Sequence, residues 1–404
     1  MSPQKCIPLS LGIAILAVAC SKLVPGAPSA ASVMNAPLSE LTPDQLKVFN
    51  AGAAEFDEEY ASATGLGPIY VSTSCNSCHA GDNRGHMHTI LTRFGQSDTF
   101  GNTWLDKGGP QLQQHALAGF TGETLPAGVP FSRFLAPLVA GSGFLEAVTE
   151  SDLLALADPE DKNSDGISGR PNYSQLPAWV VPLPGSAVNH GRFMGRFGRK
   201  AAAHNLHQQS VNAFQQDMGI TTTFLPRNPV NPLNPAAPVT TTDPDVTDAA
   251  VNDVVFYLQT LQMPPRRNVM NADVVKGSEI FRNIGCASCH TETLKTGYSP
   301  VAALSYKEFH PYTDLLLHDM GPELNDGYTE GNALPSEWRT TPLWGLGLAS
   351  SAQGGRVFLL HDGRAHSIEA AIQYHGGEAA ASRTAFRNLS SADKSALLSF
   401  LNSL

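Results

Sequence analysis

The chain has 404 residues, of which 42% are hydrophobic and 15% charged, so it can bury more than one core and is neither a disordered chain nor a coiled coil. Its 26 lysines and arginines against 36 aspartates and glutamates give a formal net charge of −10, which repels nucleic-acid phosphates and argues against a nucleic-acid partner. The 36 glycines and 29 prolines predict a loop-rich chain whose regular elements are mainly helical.

The N-terminal segment, residues 1–19, is typical of a secretory signal peptide, with Lys5 ahead of a short apolar run that ends before Cys20. The run is too short to span a bilayer. Two processing routes stay open: the small residues before Cys20 fit an ordinary cleavage site, and the same stretch resembles a bacterial lipobox. We expect an exported protein of the bacterial periplasm, attached to the membrane only by a lipid anchor at Cys20 and followed by a tether over residues 20–40.

Four of the six cysteines form two Cys-x-x-Cys pairs, and a histidine follows each pair at once. Two thiols at this spacing reach both vinyl groups of a haem, and the adjacent histidine places its imidazole under the iron. The motifs therefore predict two covalently bound haem c groups. A redox dithiol or a zinc site is a weaker interpretation, because the pairs lack a strand–helix context and lie far apart in the chain. The motif residues are Cys75, Cys78 and His79, and Cys286, Cys289 and His290.

The same helix pattern precedes both motifs. A glycine is followed four residues later by a phenylalanine, at Gly52 and Phe56 and again at Gly277 and Phe281. This internal repeat predicts two cytochrome c-like units, in which the first and last helices cross over the haem.

Each predicted unit closes with an apolar-periodic helix, over residues 251–261 in the first and 391–404 in the second. We therefore expect a mainly α-helical fold of two cytochrome c-like domains, at 41–267 and 268–404. The first domain is long because residues 85–245 are inserted between its haem motif and its closing helix.

One stretch of this insertion resembles an EF-hand calcium loop. Asp161, Asn163 and Asp165 place side-chain oxygens at alternate positions, a glycine follows, and Ile167 offers a backbone carbonyl. Asn172 stands where the bidentate glutamate normally closes such a loop, so calcium would bind with modest affinity. A plain turn stabilised by aspartate or asparagine is the alternative.

Several segments resemble those of bacterial dihaem cytochrome c peroxidases. The stretch from Phe358 to His375 is similar to their Phe-His-Asp-Gly segment and the helix that follows it. Residues from about 45 to 404 together resemble the di-haem oxidoreductase family, whose members are also described as peroxidases or thiol oxidoreductases. No free dithiol remains for thiol chemistry once both pairs hold haem. The further segments that carry the resemblance are Gly191–Gly198, Asp217–Thr221, His318–Gly321 and Trp338–Gly347.

The resemblance implies a role for His375, because a methionine at that position ligates the second-domain haem of the peroxidases. Carried over, His375 is the sixth ligand opposite His290, and a bis-histidine iron is more reducing than a histidine–methionine iron. A histidine that merely ends a helix is the alternative, since two glycines follow His375.

For the first haem, the resemblance implies an open or weakly ligated iron beside a distal glutamate. Glu146 is the candidate for this acid–base role; a solvated glutamate on an amphipathic helix is the alternative. His86, His88 and His190 stay open as ligands, because two of them follow the first motif closely and the third lies beside an arginine-rich segment.

Three arginines, Arg196, Arg339 and Arg364, are candidates for haem-propionate contacts, because a guanidinium group pairs bidentately with a carboxylate. Surface salt bridges explain them equally well. Trp338 and Trp344 are either core aromatics or an electron relay between the haems.

These observations predict a dihaem c-type oxidoreductase of the peroxidase kind. A small redox protein or a quinone-pool donor would supply electrons at the second haem, and peroxide or another small molecule would react at the first. The expected cofactors are two covalent haem c groups and calcium. Two alternatives remain: an electron-transfer cytochrome without catalysis, and a haem enzyme that modifies a partner protein.

Overall fold

The computed structural model describes residues 33–80, 83–229, 231–233 and 244–404. Helices hold 34% of the chain and strands 11%, so helix is the larger regular class and loops make up most of the rest. The predicted signal peptide, Cys20 and the first part of the tether lie outside the described residues. Within the described ranges, no helix is both long enough and apolar enough to cross a membrane.

Short helices and two-stranded antiparallel ribbons alternate along the chain. The helices are α1 Pro43–Asp57, α2 Cys75–Cys78, α3 Ser142–Ala147, α4 Glu150–Leu154, α5 Leu206–Met218, α6 Asp248–Thr260, α7 Ala272–Asn283, α8 Ala349–Ala352, α9 Ile368–Gln373, α10 Ala380–Asn388 and α11 Ser391–Ser403. The strands are β1 Ile69–Tyr70, β2 Leu91–Phe94, β3 His115–Ala116, β4 Phe131–Phe134, β5 Tyr173–Ser174, β6 Phe193–Met194, β7 Leu294–Lys295, β8 Glu308–Phe309, β9 Leu317–Asp319 and β10 Glu337–Arg339. The ribbons pair β1 with β3, β2 with β4, β5 with β6, β7 with β8 and β9 with β10.

The first and last helices of the first unit, α1 and α6, cross each other. A capping box at Thr42 begins α1. A Cβ atom on Gly52 would lie 2.0 Å from the carbonyl oxygen of Asp253, so only glycine permits so close an approach of the two helices. The Phe56 ring then packs on Tyr257, with ring centroids 5.3 Å apart.

Helices α7 and α11 form an equivalent crossing beside the second motif. A Cβ atom on Gly277 would lie 2.1 Å from the carbonyl oxygen of Ala396, and the Phe281 and Phe400 rings are 5.3 Å apart. The glycine and phenylalanine of the repeat thus have the same two roles in both units.

The main hydrophobic core extends across the predicted domain boundary at residue 268. Helices α1, α5 and α6 supply much of it, and Leu294, Phe309, Leu315 and Trp344 from the later part of the chain belong to the same buried cluster. A smaller core lies between α7 and α11. The main core is therefore shared between the two predicted domains, and the second helix crossing has a smaller core of its own.

The end of the predicted tether is packed rather than extended from the body. Met34 is fully buried and Leu38 is 5% exposed, and the Leu38 N–H donates to the Thr260 carbonyl at 2.9 Å. The tether prediction over residues 20–40 is therefore wrong at its C-terminal end. Its apolar side chains gain more from burial on α6 than from solvation.

Candidate haem sites

Both Cys-x-x-Cys-His motifs face one cavity of about 710 Å³. The fold thus brings together two segments that lie far apart in the sequence. Every cysteine and histidine of the two motifs lines the cavity: Cys75, Cys78, His79, Cys286, Cys289 and His290.

The two motifs share one hydrogen bond but differ in local conformation, since Cys75–Cys78 is a turn of α-helix and Cys286–Ser288 a turn of 3-10 helix. Each forms a single tight turn, in which the N–H of His79 donates to the Cys75 carbonyl and that of His290 to the Cys286 carbonyl, both at 3.0 Å. The phenylalanine of the preceding helix packs on the motif histidine in each case, with ring centroids 5.9 and 6.4 Å apart. This turn places two thiols and one imidazole on the same wall, as covalent haem attachment requires.

The four motif thiols are free and lie against the cavity wall. Burial raises the pKa of Cys78 and of Cys286 to about 12, and burial also raises the pKa of Cys75 and Cys289. A reactive redox dithiol needs the opposite shift, toward the thiolate. The environment of these thiols therefore argues against a redox dithiol.

His375 faces His290 across the cavity. The two ring centroids are 6.5 Å apart, with an angle of 40° between the ring planes. In each ring Nδ1 is bonded to a backbone carbonyl, that of Tyr312 at 2.9 Å for His290 and that of Ala371 at 2.8 Å for His375. Such a bond fixes the tautomer in which Nε2 carries the free lone pair, as in metal-bound histidines.

The pair fits a single metal ion held between two imidazoles. Burial lowers the pKa of His290 to about 4 and also lowers that of His375, so both rings are neutral at physiological pH, as ligation requires. Imidazole nitrogen binds a transition metal such as zinc at about 2.0–2.1 Å, and the observed spacing accommodates two such bonds. The residues present therefore fit a bis-histidine haem iron.

No comparable histidine pair involves His79 among the described residues, which include all thirteen histidines. Burial lowers the pKa of His79 to about 4, so this ring is also neutral. His86 and His88 stack on each other with centroids 4.6 Å apart, and His190 is exposed and bonded to its neighbour. None of these three candidate ligands lines the cavity.

Glu146, the predicted acid–base residue, does not line the cavity either. Its carboxylate oxygens accept hydrogen bonds from the Leu206 N–H at 2.7 Å and from the Gln259 side chain at 2.6 Å. Burial raises its pKa, and these two bonds oppose the shift. Glu146 thus satisfies the free N–H groups at the start of α5, which is a structural role that the sequence prediction did not foresee.

Two carboxyl groups line the cavity, Glu330 and Asp217, and Asp217 lies at the C-terminal end of α5. It has no hydrogen-bond partner for its side chain among the described residues, and its charge acts on the thiols of Cys75 and Cys78. Burial raises the pKa of Asp217 to about 7, and the charge of Arg93 only partly offsets that rise. A carboxyl group in this state both donates and accepts protons near neutral pH.

Two hydrogen-bond donors line the cavity near Asp217. Arg93 bonds Gln216 at 2.8 Å and pairs with Glu330 at 2.6 Å. Gln111 is 2% exposed, and its side-chain nitrogen has no partner. Sequence reasoning missed this polar group; the available signal was an aspartate on the apolar face of α5.

Trp338 and Trp344 both line the cavity and are buried. Trp338 lies between two other side chains: the His361 ring stacks on it at 3.6 Å with an angle of 8°, and the ammonium of Lys200 lies 3.8 Å from its ring centroid. Its indole N–H donates to the Leu324 carbonyl at 2.9 Å. These contacts fix the indole in the wall of the cavity that contains both motifs.

His318 belongs to a buried ion-pair network next to the second motif. Its ring nitrogens lie 2.8 Å from an Asp314 oxygen and 2.6 Å from a Glu378 oxygen, and Cys289 Sγ is 3.5 Å away. Burial alone would lower the pKa of His318, but these hydrogen bonds raise it to about 12. Glu378 also accepts from the backbone of Ser168, so the network ties the segment after the predicted calcium loop to the second motif.

The predicted calcium loop is exposed, and its carboxylates accept from the loop's own backbone. Asp161 accepts from Gly166 N–H at 3.2 Å and Asp165 from Ile167 N–H at 2.9 Å. Asn172 points elsewhere, donating to the Lys200 carbonyl at 2.7 Å. Within the described ranges, no group of three or more histidine, cysteine, aspartate or glutamate side chains is arranged to hold a metal ion. Calcium binding by this loop therefore stays a prediction.

Of the three arginines predicted to contact propionates, only Arg339 lines the cavity. Arg196 is buried elsewhere and donates to the Glu146 carbonyl at 3.0 Å. Arg364 pairs with Asp362 at 2.6 Å outside the cavity. Arg196 and Arg364 thus lie outside the lining of the cavity, and their contacts with propionates stay predictions.

Three solved structures align with most of the chain. The diheme peroxidase BthA from Burkholderia thailandensis E264 is 17% identical, with 94% of this chain and 89% of that chain covered and a TM-score of 0.40. A MauG-like protein associated with microbial copper homeostasis is 14% identical, with coverages of 91% and 92% and a TM-score of 0.39. A hydrazine synthase from Kuenenia stuttgartiensis is 13% identical, with both chains fully covered and a TM-score of 0.40.

Sequence comparison gives a family assignment. No curated protein matches the chain. The profile of the family described as "Di-haem oxidoreductase, putative peroxidase" matches residues 131–404, which contain the second motif, His375 and Asp217. Because the match spans more than half of the chain, the protein belongs to the di-haem oxidoreductase family.

Proposed function

We propose that this protein is a c-type dihaem oxidoreductase that takes up electrons at the haem of the second motif and reduces peroxide or another small substrate at the haem of the first. One observation carries the proposal. The two motifs share a cavity, and a second imidazole faces His290 but, among the described residues, none faces His79.

In this proposal the two cysteine pairs hold the haems by thioether bonds, and His79 and His290 ligate the two irons. His375 is the sixth ligand at the second site, supported by its neutral ring and its fixed tautomer. Bound haem supplies one-electron redox chemistry and, where a coordination position is open, a binding place for a substrate oxygen. The protein's own contribution is to fill that position at one site and leave it free at the other.

Asp217, rather than Glu146, is the proposed acid–base residue of the first site. Reduction of hydrogen peroxide to two waters consumes two electrons, which the donor supplies, and two protons. The Asp217 carboxyl would take a proton from the attacking peroxide oxygen and deliver it to the departing oxygen. The guanidinium group of Arg93 and the side-chain amide of Gln111 would stabilise negative charge on that departing oxygen.

Further parts of the proposal rest on the sequence. The leader before Cys20 supports export to the bacterial periplasm and a lipid anchor, and the donor is then a small redox protein or the quinone pool. The alternating oxygen ligands from Asp161 to Ile167 support a weak calcium site. Partition of the mature protein between detergent and water, with and without Cys20→Ser, tests the anchor.

Low-temperature EPR of the holoprotein tests the proposed division of roles. The expected result is one low-spin and one high-spin ferric haem in the oxidised or the half-reduced state. Two low-spin haems in both states would mean that both irons are saturated, and the protein would then be an electron-transfer cytochrome. The pyridine haemochrome spectrum, which should give two covalent haems per chain, provides the control for haem content.

A further inference from the structure

Five arginines line the cavity, and the charges of two of them, Arg84 and Arg339, act on a third, Arg199. The backbone N–H of Arg339 donates to the carbonyl of Arg199 at 3.1 Å. The charge of Arg199 reaches His79 in the first motif, and that of Arg339 reaches Asp314 beside the second. The three guanidinium groups, called the arginine cradle below, therefore lie between the two haem anchors.

The arginine cradle lacks anionic partners. Each of its guanidinium groups donates one hydrogen bond to a backbone carbonyl, at 2.8–3.0 Å. Nε of Arg84 and one terminal nitrogen of Arg339 are buried without any partner. No ion pair in the described part of the chain includes Arg84, Arg199 or Arg339.

The nearest carboxylates are already paired with other cations. Asp362 interacts with the charge of Arg199 but bonds Arg364 at 2.6 Å. Asp314 interacts with the charge of Arg339 but bonds His318 at 2.8 Å. The chain therefore does not neutralise the cradle with its own described side chains.

The charge of the cradle is strongly unfavourable as it stands. Burial, together with repulsion by Arg339 and Arg84, lowers the pKa of Arg199 to about 9, although a guanidinium group in a protein stays protonated. A buried charge persists only when it is paired and hydrogen-bonded. The cradle thus requires an anion from outside the chain.

We infer that the arginine cradle binds carboxylates, and that these are the propionate groups of the two haems. The inference rests on the proposed function, because it requires a haem on each motif. Each haem brings two carboxylates, on the edge remote from the vinyl groups that the cysteines bond. The planar guanidinium fork matches a carboxylate bidentately. The cradle lies in the same cavity as all four motif cysteines, so propionates of both haems can share it.

The test compares the wild-type holoprotein with Arg199→Gln and Arg339→Gln. Both variants should retain two covalent haems by pyridine haemochrome, because the thioether bonds are untouched. A nearby cation favours the ferrous over the more positive ferric form. Its loss should therefore lower the ferrous-to-ferric ratio of at least one haem about tenfold at a fixed potential, a fall of 59 mV in midpoint for one electron.

Two control variants separate the cradle from a general effect of charge or folding. Arg364→Gln removes a cation that lies outside the cavity and is paired with Asp362, and it should leave both midpoint potentials within 59 mV of wild type. Arg199→Lys keeps the charge and should recover most of the midpoint shift. It also keeps the inference testable if Arg199→Gln does not fold.

The alternative occupant is a free carboxylate, and sodium acetate is the probe for it. A saturable change in the haem spectrum of the wild type on adding acetate, absent in Arg199→Gln, would overturn the propionate assignment. Unchanged potentials in both glutamine variants would overturn the cradle itself. Fewer than two covalent haems in the wild type would instead overturn the proposed function, so the two failures are distinguishable.

Discussion

The two motif regions are built alike, each on a helix and a hydrogen-bonded turn, but different side chains from elsewhere in the chain face them. In both, a tight turn after a Gly-x-x-x-Phe helix presents two thiols and an imidazole to the cavity. At the second motif the residues just after α9 add His375, and at the first α5 adds Asp217. The comparison teaches that each Cys-x-x-Cys-His surface is encoded locally, whereas the side chain that faces it comes from a distant segment.

The largest effect should follow from removing the carboxyl group at the first site. Asp217→Asn should lower the rate of peroxide reduction by roughly 10²- to 10⁴-fold, the usual contribution of general acid–base catalysis. Stopped-flow cyanide binding to the ferric protein provides a second measurement, because hydrogen cyanide must lose a proton on binding. Its association rate should fall in Asp217→Asn and lose its dependence on a group with a pKa near 7.

Glu146→Gln is the matched control for that variant. It places an amide opposite the Gln259 side chain and the Leu206 N–H, so it should lower stability by about 1–3 kcal/mol while turnover is retained. Loss of turnover in Glu146→Gln, together with normal turnover in Asp217→Asn, would contradict the assignment of Asp217.

The next effect should appear at the second site. His375→Met keeps six ligands but exchanges imidazole for thioether, and the midpoint potential of that haem should rise by on the order of 0.1 V. His375→Ala should instead convert one low-spin EPR signal to high spin. If both variants left the haem of the second motif unchanged and altered the potential or spin state of the first, the proposed roles of the two haems would have to be reversed.

A pH-dependent contribution to stability should distinguish the second motif region from the first. The pKa of His318 in the folded protein, about 12, lies above its ordinary value of 6.5. The contribution of His318 to the free energy of unfolding is therefore complete below pH 6.5 and declines as the pH rises toward 12. Glu378, with a pKa lowered to about 2 chiefly by His318 against the effect of burial, contributes fully above pH 4.5 and progressively less in acid.

His318→Gln tests this contribution. The variant should lower Tm by roughly 5–10 °C near pH 6, because it leaves two buried carboxylates without a cation. The difference from wild type should shrink by pH 10. A Tm difference that is constant across this range would show that His318 is not charged in the native state.

The smallest effect should come from the predicted calcium loop. Because the closing glutamate is absent and the carboxylates already accept from the backbone, removal of calcium by a chelator should lower Tm by only a few degrees at most. Isothermal titration with calcium, compared between wild type and Asp165→Asn, measures any binding directly. Equal heats in both proteins would remove the loop from consideration.

Local patterns predicted the parts of this protein that depend on short spacings. The capped helix before each motif, the two closing helices and the family were all within reach of the sequence, because periodicity, caps and Cys-x-x-Cys-His are local. His375 was reachable only through the resemblance to a known family. The structure then places it opposite His290.

Long-range packing decides which charged residues line the cavity. Glu146 was assigned to the haem, but α5 and Gln259 take up its oxygens. Asp217 and Arg199 were not proposed as site residues. Whether a charged side chain lines a cavity or finds a partner depends on elements that are distant in the chain, and no local pattern records that.

The shared core fixes the relation between the two halves of the protein. Leu294, Phe309 and Leu315 come after the predicted domain boundary at residue 268, yet they pack into the core of the first unit. A cut near residue 268 would strip both fragments of part of their interior, so neither half is a portable module.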